Sequence, residues 1–235
     1  MKITMIGHST VLIETAGKKI LTDPYFGLWG NIPYARISPP ARTREELQDV
    51  NLVLISHNHW DHTDRKFLRS LGNNVTVLAP RSTMWLTKVK GAKNLIGMKT
   101  WEEKKFGEIT ITAVQALHIA KTIGYIIESE DRTIYFAGDT YYRPFMKNIG
   151  QRFKIDAALM PVTTFRVPMT MGEKSAVHAA RDLKPSTIIP IHMGIKPRSF
   201  LLRTNHSPEG FARRLIKAGL ETKLVILKDG ESCTL

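Results

Sequence analysis

The chain has 235 residues, 43% of them hydrophobic and 23% charged, with 16 Gly and 12 Pro, a globular composition that excludes collagen-like, coiled-coil and disordered classes. No apolar run reaches the roughly 20 residues that cross a bilayer, and the opening segment, Met1–Ile6, lacks the apolar stretch and cleavage site of a signal peptide. Thirty-four Lys and Arg against 21 Asp and Glu give a net charge of +13, a field that draws anions; the one cysteine, Cys233, excludes an internal disulfide and a multi-cysteine metal site, and agrees with a reducing cytoplasm.

Short β-branched runs predict strands over 2–6, 10–15 and 19–22. Residues 24–45, from Pro24 through Trp29 to Pro39-Pro40, follow neither the helical nor the strand period. A loop of that length is commonly a lid or binding loop. Its Tyr25, Phe26, Leu28, Trp29 and Tyr34 suit a cover over a site, a lipid contact, a subunit interface or packing onto the domain. A strand over 51–55, a helix over 64–71, a strand over 75–79 and a helix over 81–89 follow. Strands at 106–115, 123–128 and 132–136 come next, the last two joined by a tight turn at Glu130-Asp131. The remaining elements are a helix at 143–149, a strand at 155–160, a helix at 171–183, a strand at 186–191, a helix at 208–218, and strands at 223–227 and 231–234. The 208–218 helix has Ser207 as N-cap, Pro208 at its first position and Gly219 to stop it. Strands joined by tight turns beside strands separated by helices predict mixed sheets with helices outside, in a single domain over 1–235.

What ends each apolar run carries the chemistry. His8 follows Lys2–Gly7, Asp23 follows Lys19–Thr22, and His57 follows Asn51–Ser56. His118 follows Ile111–Leu117, Asp139 follows Thr133–Gly138, and His192 follows Thr187–Ile191. Residues that follow strands sit on the rim of a sheet, where open α/β folds build their sites. The densest cluster is His57-Asn58-His59-Trp60-Asp61-His62. Imidazole and carboxylate suit Zn²⁺ and also Mn²⁺ or Fe²⁺, and the lack of a thiolate argues against a purely structural zinc site. Four donors so close in sequence are better used by two adjacent ions, completed by His118 and His192 and bridged by the two oxygens of Asp139.

His57-x-His59-x-Asp61-His62, with the later His118, the Gly138-Asp139-Thr140 turn and His192, resembles the ligand series of the metallo-β-lactamase superfamily over nearly the whole chain. Gly7-His8-Ser9-Thr10, Leu21-Thr22-Asp23-Pro24, Ser56-His57-Asn58-His59 and Ile189-Pro190-Ile191-His192 look like the branch of ascorbate-6-phosphate lactonases and N-acyl-phosphatidylethanolamine phospholipase D. Arg36-x-x-Pro39-Pro40 leans to the phospholipase side. The resemblance implies an α/β (α+β) fold, a four-layer αββα sandwich of two mixed sheets with helices outside and both metals at one edge. It assigns His57, His59 and His118 to one ion, Asp61, His62 and His192 to the other, Asp139 to both, and Asp23 to a buried supporting role.

The implied activity is hydrolysis by a metal-bridging hydroxide, since two ions ~3.5–4 Å apart bring water towards a neutral pKa. Zinc is the favoured ion, with manganese or iron as alternatives. The expected substrate is a phosphodiester, phosphoester or lactone of a small anionic or lipid-like molecule. Asp61 would orient the attacking water while ligating. His8 would donate a proton or contact substrate, against the alternative of a histidine satisfied by backbone bonds. Trp60 lines the pocket or packs in the interior. His178 belongs to a helix surface, His206 to a loop, and Cys233 to the interior. A nuclease acting on RNA or DNA, or a non-catalytic metal-binding protein, are the alternatives; nucleic acid is a disfavoured partner. Peripheral membrane contact and a homo-oligomer stay open, and the expected location is the cytoplasm.

Overall fold

In the computed structural model, residues 1–31, 33–130 and 132–235 are described, so Ile32 of the long loop and Asp131 of the expected tight turn lie outside the described residues. The first half contains β1 (Lys2–Gly7), β2 (Thr10–Thr15), β3 (Lys18–Thr22), β4 (Tyr34–Arg36), β5 (Leu52–Leu54), α1 (Arg65–Ser70), β6 (Thr76–Pro80), α2 (Met84–Lys90) and β7 (Asn94–Met98). The second half contains β8 (Glu103–Phe106), β9 (Ile109–Gln115), β10 (Ile123–Ser129), β11 (Arg132–Phe136), α3 (Phe145–Arg152), β12 (Ala157–Pro161), α4 (Glu173–Leu183), β13 (Thr187–Ile191), β14 (Ile195–Pro197), α5 (Pro208–Lys217), β15 (Lys223–Leu224) and β16 (Ser232–Thr234).

Side-chain parity along each strand decides the layers. Ile134 and Phe136 of β11, Leu52 and Leu54 of β5, and Ile189 and Ile191 of β13 enter one buried cluster between two sheets. Their alternates face outward beneath helices. Tyr135 and Ile188 pack with Met146 of α3, Ala176 of α4 and Phe211 of α5, while Val53 packs with Phe67 and Leu68 of α1. Period-two strands with both faces apolar can only be buried between layers, and the result is the expected αββα sandwich.

The two seven-stranded sheets run β16-β1-β2-β3-β5-β6-β7 and β15-β13-β12-β11-β10-β9-β8. In the first, β1 and β3 each pair antiparallel with β2, and β3 pairs parallel with β5. In the second, β9 and β11 each pair antiparallel with β10, and β11, β12 and β13 pair in parallel. Strands β1, β3 and β5 therefore point one way within their sheet, as do β9, β11 and β13 within theirs, so three chemistry-bearing ends come from each sheet. The α5 start is as expected: the Ser207 side chain accepts from Gly210 N–H and Pro208 stands at the first position, a cap worth about 1 kcal/mol.

The 24–45 segment departs from a structureless loop. Tyr34–Arg36 forms β4, which pairs antiparallel with β14 in a separate two-stranded flap, Ile195 opposite Arg36 and Pro197 opposite Tyr34. A three-residue strand has no readable period. What holds it is the buried Arg36, whose guanidinium donates to the carbonyls of Tyr25 (3.0 Å), Gly27 (3.2 Å) and Ser38 (2.6 Å) and lies 4.3 Å from the Tyr25 ring centre. Further differences are β7, which has no counterpart among the expected strands, β8, which shares only Phe106 with the expected 106–115 strand and turns at Gly107 into β9, and the shrinkage of 223–227 to two residues. No helix among the described residues is long and apolar enough to cross a membrane.

Candidate metal centre

The six strand-end residues and the 57–62 cluster converge where the two sheets meet. Asp139 Oδ2 lies 3.1 Å from His192 Nε2, 3.3 Å from His62 Nε2, 3.8 Å from His118 Nε2 and 4.0 Å from His57 Nε2. One side of this carboxylate is a group formed by His57, His59 and His118, the other a group of His8, Asp61, His62 and His192, each with its donor atoms within 4.8 Å of one another. His118 Nε2 sits 3.3 Å from His59 Nδ1. Asp61 Oδ2 is 3.9 Å from His62 Nε2 and 3.4 Å from His8 Nε2.

Local bonds aim these rings. Asp23, fully buried, accepts from Ser56 N–H (2.6 Å) and the Ser56 hydroxyl (2.5 Å) and pairs with His62 Nδ1 (2.7 Å). The Ser56 hydroxyl lies 2.9 Å from His57 Nδ1. One carboxylate thus turns the Nε2 atoms of both His57 and His62 inward. Asp23, His57 and His62 form a third close group, but both Asp23 oxygens are committed to Ser56 and His62, which fits a supporting role rather than ligation. Thr63 donates to the His57 carbonyl (2.8 Å), and Leu117 N–H donates to the Thr140 hydroxyl (3.0 Å), locking the His118 and Asp139 turns together.

Backbone conformation is unusual at the same place. His8, Asp23 and His192 all have positive φ, at 61°, 31° and 63°, a sparsely populated region whose cost clusters at functional sites. Gly138 has φ 55°, and a Cβ there would stand 2.4 Å from the Ser56 Cβ. Gly138→Ala is therefore expected to lose roughly 1–3 kcal/mol of stability and to misplace Ser56 and Asp139. Chemical denaturation and metal titration read the two effects; a variant matching the parent in both would refute this account of the glycine.

Burial drives His57 well below its ordinary pKa, lowers His59, and takes His118 to about 4. For His62 burial pulls the same way, but Asp139, Asp61 and Asp23 outweigh it and raise the ring well above its ordinary value. Burial opposes ionisation of Asp139 and Asp61, yet His192 and His62 beside the first, and His62 and His8 beside the second, hold both carboxyls below the usual range. Burial pushes the Asp23 carboxyl up against the pull of His62 and Ser56. Nε2 of His57 and His62, Nδ1 of His118 and Oδ1 of Asp139 are buried without a hydrogen-bond partner. Neutral imidazoles at His57, His59 and His118 and ionised carboxylates at Asp61 and Asp139 are donors suited to a divalent metal, and an ion beside His62 would take the place of the proton that the neighbouring carboxylates favour there.

His8 stands apart. Gly194 N–H donates to its Nδ1 (3.1 Å), so the hydrogen of the neutral ring is on Nε2, an assignment that follows from the bonding network. That Nε2 lies 3.4 Å from Asp61 Oδ2 and is buried without a hydrogen-bond partner, and in this tautomer it offers a hydrogen rather than a lone pair. Burial and the neighbouring His192 lower the His8 pKa to about 3, which keeps the ring neutral, with its Nε2–H as the group it can offer.

Trp60 lines the cleft in front of these groups and meets the Tyr25 ring edge-on at 5.3 Å. His178 of α4 is exposed, its ring 5.5 Å from that of Tyr142, His206 is an exposed loop residue on an adjoining cleft, and Cys233 is half-buried in β16. Ser56 as the relay to His57, and Phe165 and Met169 as cleft walls, escaped sequence reasoning, while Tyr34 takes the covering place that was one of the alternatives for its loop. For Ser56 the signal was its position directly before the cluster; for the walls no local signal exists.

A model of the Beta-lactamase superfamily domain matches residues 18–193. The UPF0173 metal-dependent hydrolase of Pyrococcus furiosus is 34% identical to the chain, with all of both chains covered. That of Methanopyrus kandleri is 29% identical over 99% of each. Among solved structures, Igni18, a metallo hydrolase of Ignicoccus hospitalis, is 24% identical with a TM-score of 0.80, covering 100% of this chain and 97% of its own. An isothiocyanate hydrolase from Delia radicum gut bacteria is 23% identical with a TM-score of 0.82, covering 100% and 99%.

Proposed function

From a chain that belongs to the beta-lactamase superfamily and is a metal-dependent hydrolase of that fold, we propose that it holds two divalent ions in one catalytic centre. His57, His59 and His118 would hold one, Asp61, His62 and His192 the other, and Asp139 both, all within a single domain. Zinc is the proposed ion, and the same donors accept manganese or iron. The reaction proposed is hydrolysis of an ester-type bond, phosphoester or lactone, in a small molecule. The observation that carries this reading is the Asp139 oxygen facing four imidazole nitrogens, none farther than 4.0 Å.

When bound, such ions polarise the substrate oxygen and make water nucleophilic near neutral pH. The protein's own groups do the rest. Asp23 and Ser56 fix the ring planes of His62 and His57. Asp61, its carboxyl ionised, accepts a hydrogen bond from the attacking water and orients it. His8 Nε2–H, aimed by the Gly194 backbone, donates to Asp61 or to the substrate oxygen on which charge develops. Trp60 and Phe165 exclude bulk water from the reacting bond.

Elemental analysis of untagged protein purified without chelator should find about two equivalents of first-row metal per chain. His59→Ala should lower metal content and activity together while the circular dichroism spectrum is kept. No metal after reconstitution with zinc, manganese and iron(II) would refute the assignment.

A further inference from the structure

We propose that the substrate of this centre is uncharged where it meets the protein: a compact carboxyl ester or lactone with a planar apolar group beside the bond that is cut. The proposal narrows the hydrolase reading above and rests on it for the reaction, though not for the recognition. The cleft over Asp61, Asp139 and His192 has a volume of about 200 Å³. A cavity of ~150 Å³ already holds benzene, so one ring and the reacting group fit. Its outer walls are Tyr34, Trp60, Ile119, Phe165, Met169 and Ile195. Among the described residues of this cleft, no lysine or arginine faces the substrate.

The walls are built, not incidental. Tyr34 and Ile195 come from the flap formed by β4 and β14. Tyr34 stacks on Phe165 at 5.1 Å and 25°, and the Phe165 ring stands 6.4 Å from that of His192. Several cations around the centre are already engaged, and Lys196 stands exposed on the adjoining cleft, outside the lining of this one. Buried Arg36 serves the carbonyls of Tyr25, Gly27 and Ser38. Arg44 is paired with Asp64, and Lys90 donates to the Asn58 carbonyl. In the adjoining cleft beyond Phe165, Arg203 donates to the carbonyls of Pro197 and Arg198. An anionic group on the flank of the substrate would therefore leave water for aromatic rings with no cation to meet it, which is costly. A planar apolar group slides between Trp60 and the Tyr34–Phe165 pair and gains stacking and burial.

Lactone opening adds one water across the acyl C–O bond: the water oxygen joins the carbonyl carbon, the ring oxygen leaves and takes up a proton, and a hydroxy acid results. The new carboxylate forms at the reacting carbon, on the side of the proposed ions, and the apolar flank of the molecule is unchanged by the reaction.

The test uses two γ-butyrolactones of equal ring chemistry, one bearing phenyl and the other 4-carboxyphenyl, with the corresponding non-hydrolysable lactams as binding probes. The phenyl lactone should exceed the charged one in kcat/KM by at least about tenfold, chiefly through KM. The phenyl lactam should bind metal-free as well as metal-loaded protein, quenching tryptophan emission, and the carboxyphenyl lactam should bind at least about tenfold more weakly. Phe165→Arg should narrow or invert both preferences, and Tyr34→Ala should weaken binding of the phenyl lactam. Equal or better binding of the charged lactam, or binding of neither, overturns the proposal. Selective binding of the phenyl lactam without turnover of either lactone by protein that holds two metals keeps the apolar recognition and overturns the ester or lactone assignment, whereas failure of the hydrolase reading itself shows as absence of metal.

Discussion

Replacing Asp139 with alanine should abolish turnover and leave less than one tightly held metal per chain. Removing a group that merely orients a metal ligand costs roughly 10–100-fold, and the proposed role of Asp139 is larger, because its Oδ2 faces Nε2 of His57, His62, His118 and His192. Without that carboxylate the two trios lose their shared anion. The fold should persist, since the flanking backbone bonds, Ala137 N–H to Leu159 and Met171 N–H to Thr140, make no use of the side chain. Metal content after gel filtration and a steady-state assay are the measurements. A variant that keeps both metals and most of its activity would falsify the bridging assignment.

Asp23→Asn is expected to weaken metal affinity by roughly 10–100-fold without removing any proposed ligand. Three donors converge on the Asp23 oxygens: Ser56 N–H, the Ser56 hydroxyl and His62 Nδ1. An amide has one acceptor oxygen, and its NH₂ would face a donor. At least one of the three bonds is lost outright and a buried polar group is left unpaired, costing about 1–3 kcal/mol of stability. Chelator competition would give the affinity and urea unfolding the stability. Parental affinity in a destabilised variant would mean that Asp23 supports packing and does not aim His57 and His62.

The candidate centre was legible because strands end where its residues begin. Apolar runs closing on His8, Asp23, His57, His118, Asp139 and His192 announce a common rim, and parallel order within each sheet carries all six to it. The layers were equally readable, since Ile134, Tyr135 and Phe136 are all apolar, and a strand apolar on both faces must lie between two packed surfaces. The flap was not legible. Tyr34–Arg36 and Ile195–Pro197 are each three residues long, and their paired residues lie 159 to 163 positions apart along the chain; they pair because Arg36 is anchored by three carbonyls that no local pattern foretells. The cleft walls were hidden for the same reason. Phe165 and Met169 sit in an aperiodic stretch, and only the folded flap shows that Phe165 meets Tyr34. The role of His8 turned on the direction of a single backbone N–H, that of Gly194, which no side-chain pattern encodes.

The rim where the two sheets meet is also stitched across. Tyr125 of β10 donates its hydroxyl to the Ile55 carbonyl, Ile123 N–H donates to Ser56, and His192 N–H donates to His8. In the proposed assignment neither sheet owns a whole ion: His57, His59, Asp61 and His62 hang from the first, while His118, Asp139 and His192 hang from the second. Each ion is then a rivet through both leaves of the sandwich, and sliding one leaf past the other by about an ångström would undo both at once. Metal occupancy becomes a gauge of inter-sheet alignment. A cavity opened deep in the shared interior, for example by Ile127→Ala, should register at the distant edge as faster metal loss, well before the chain unfolds.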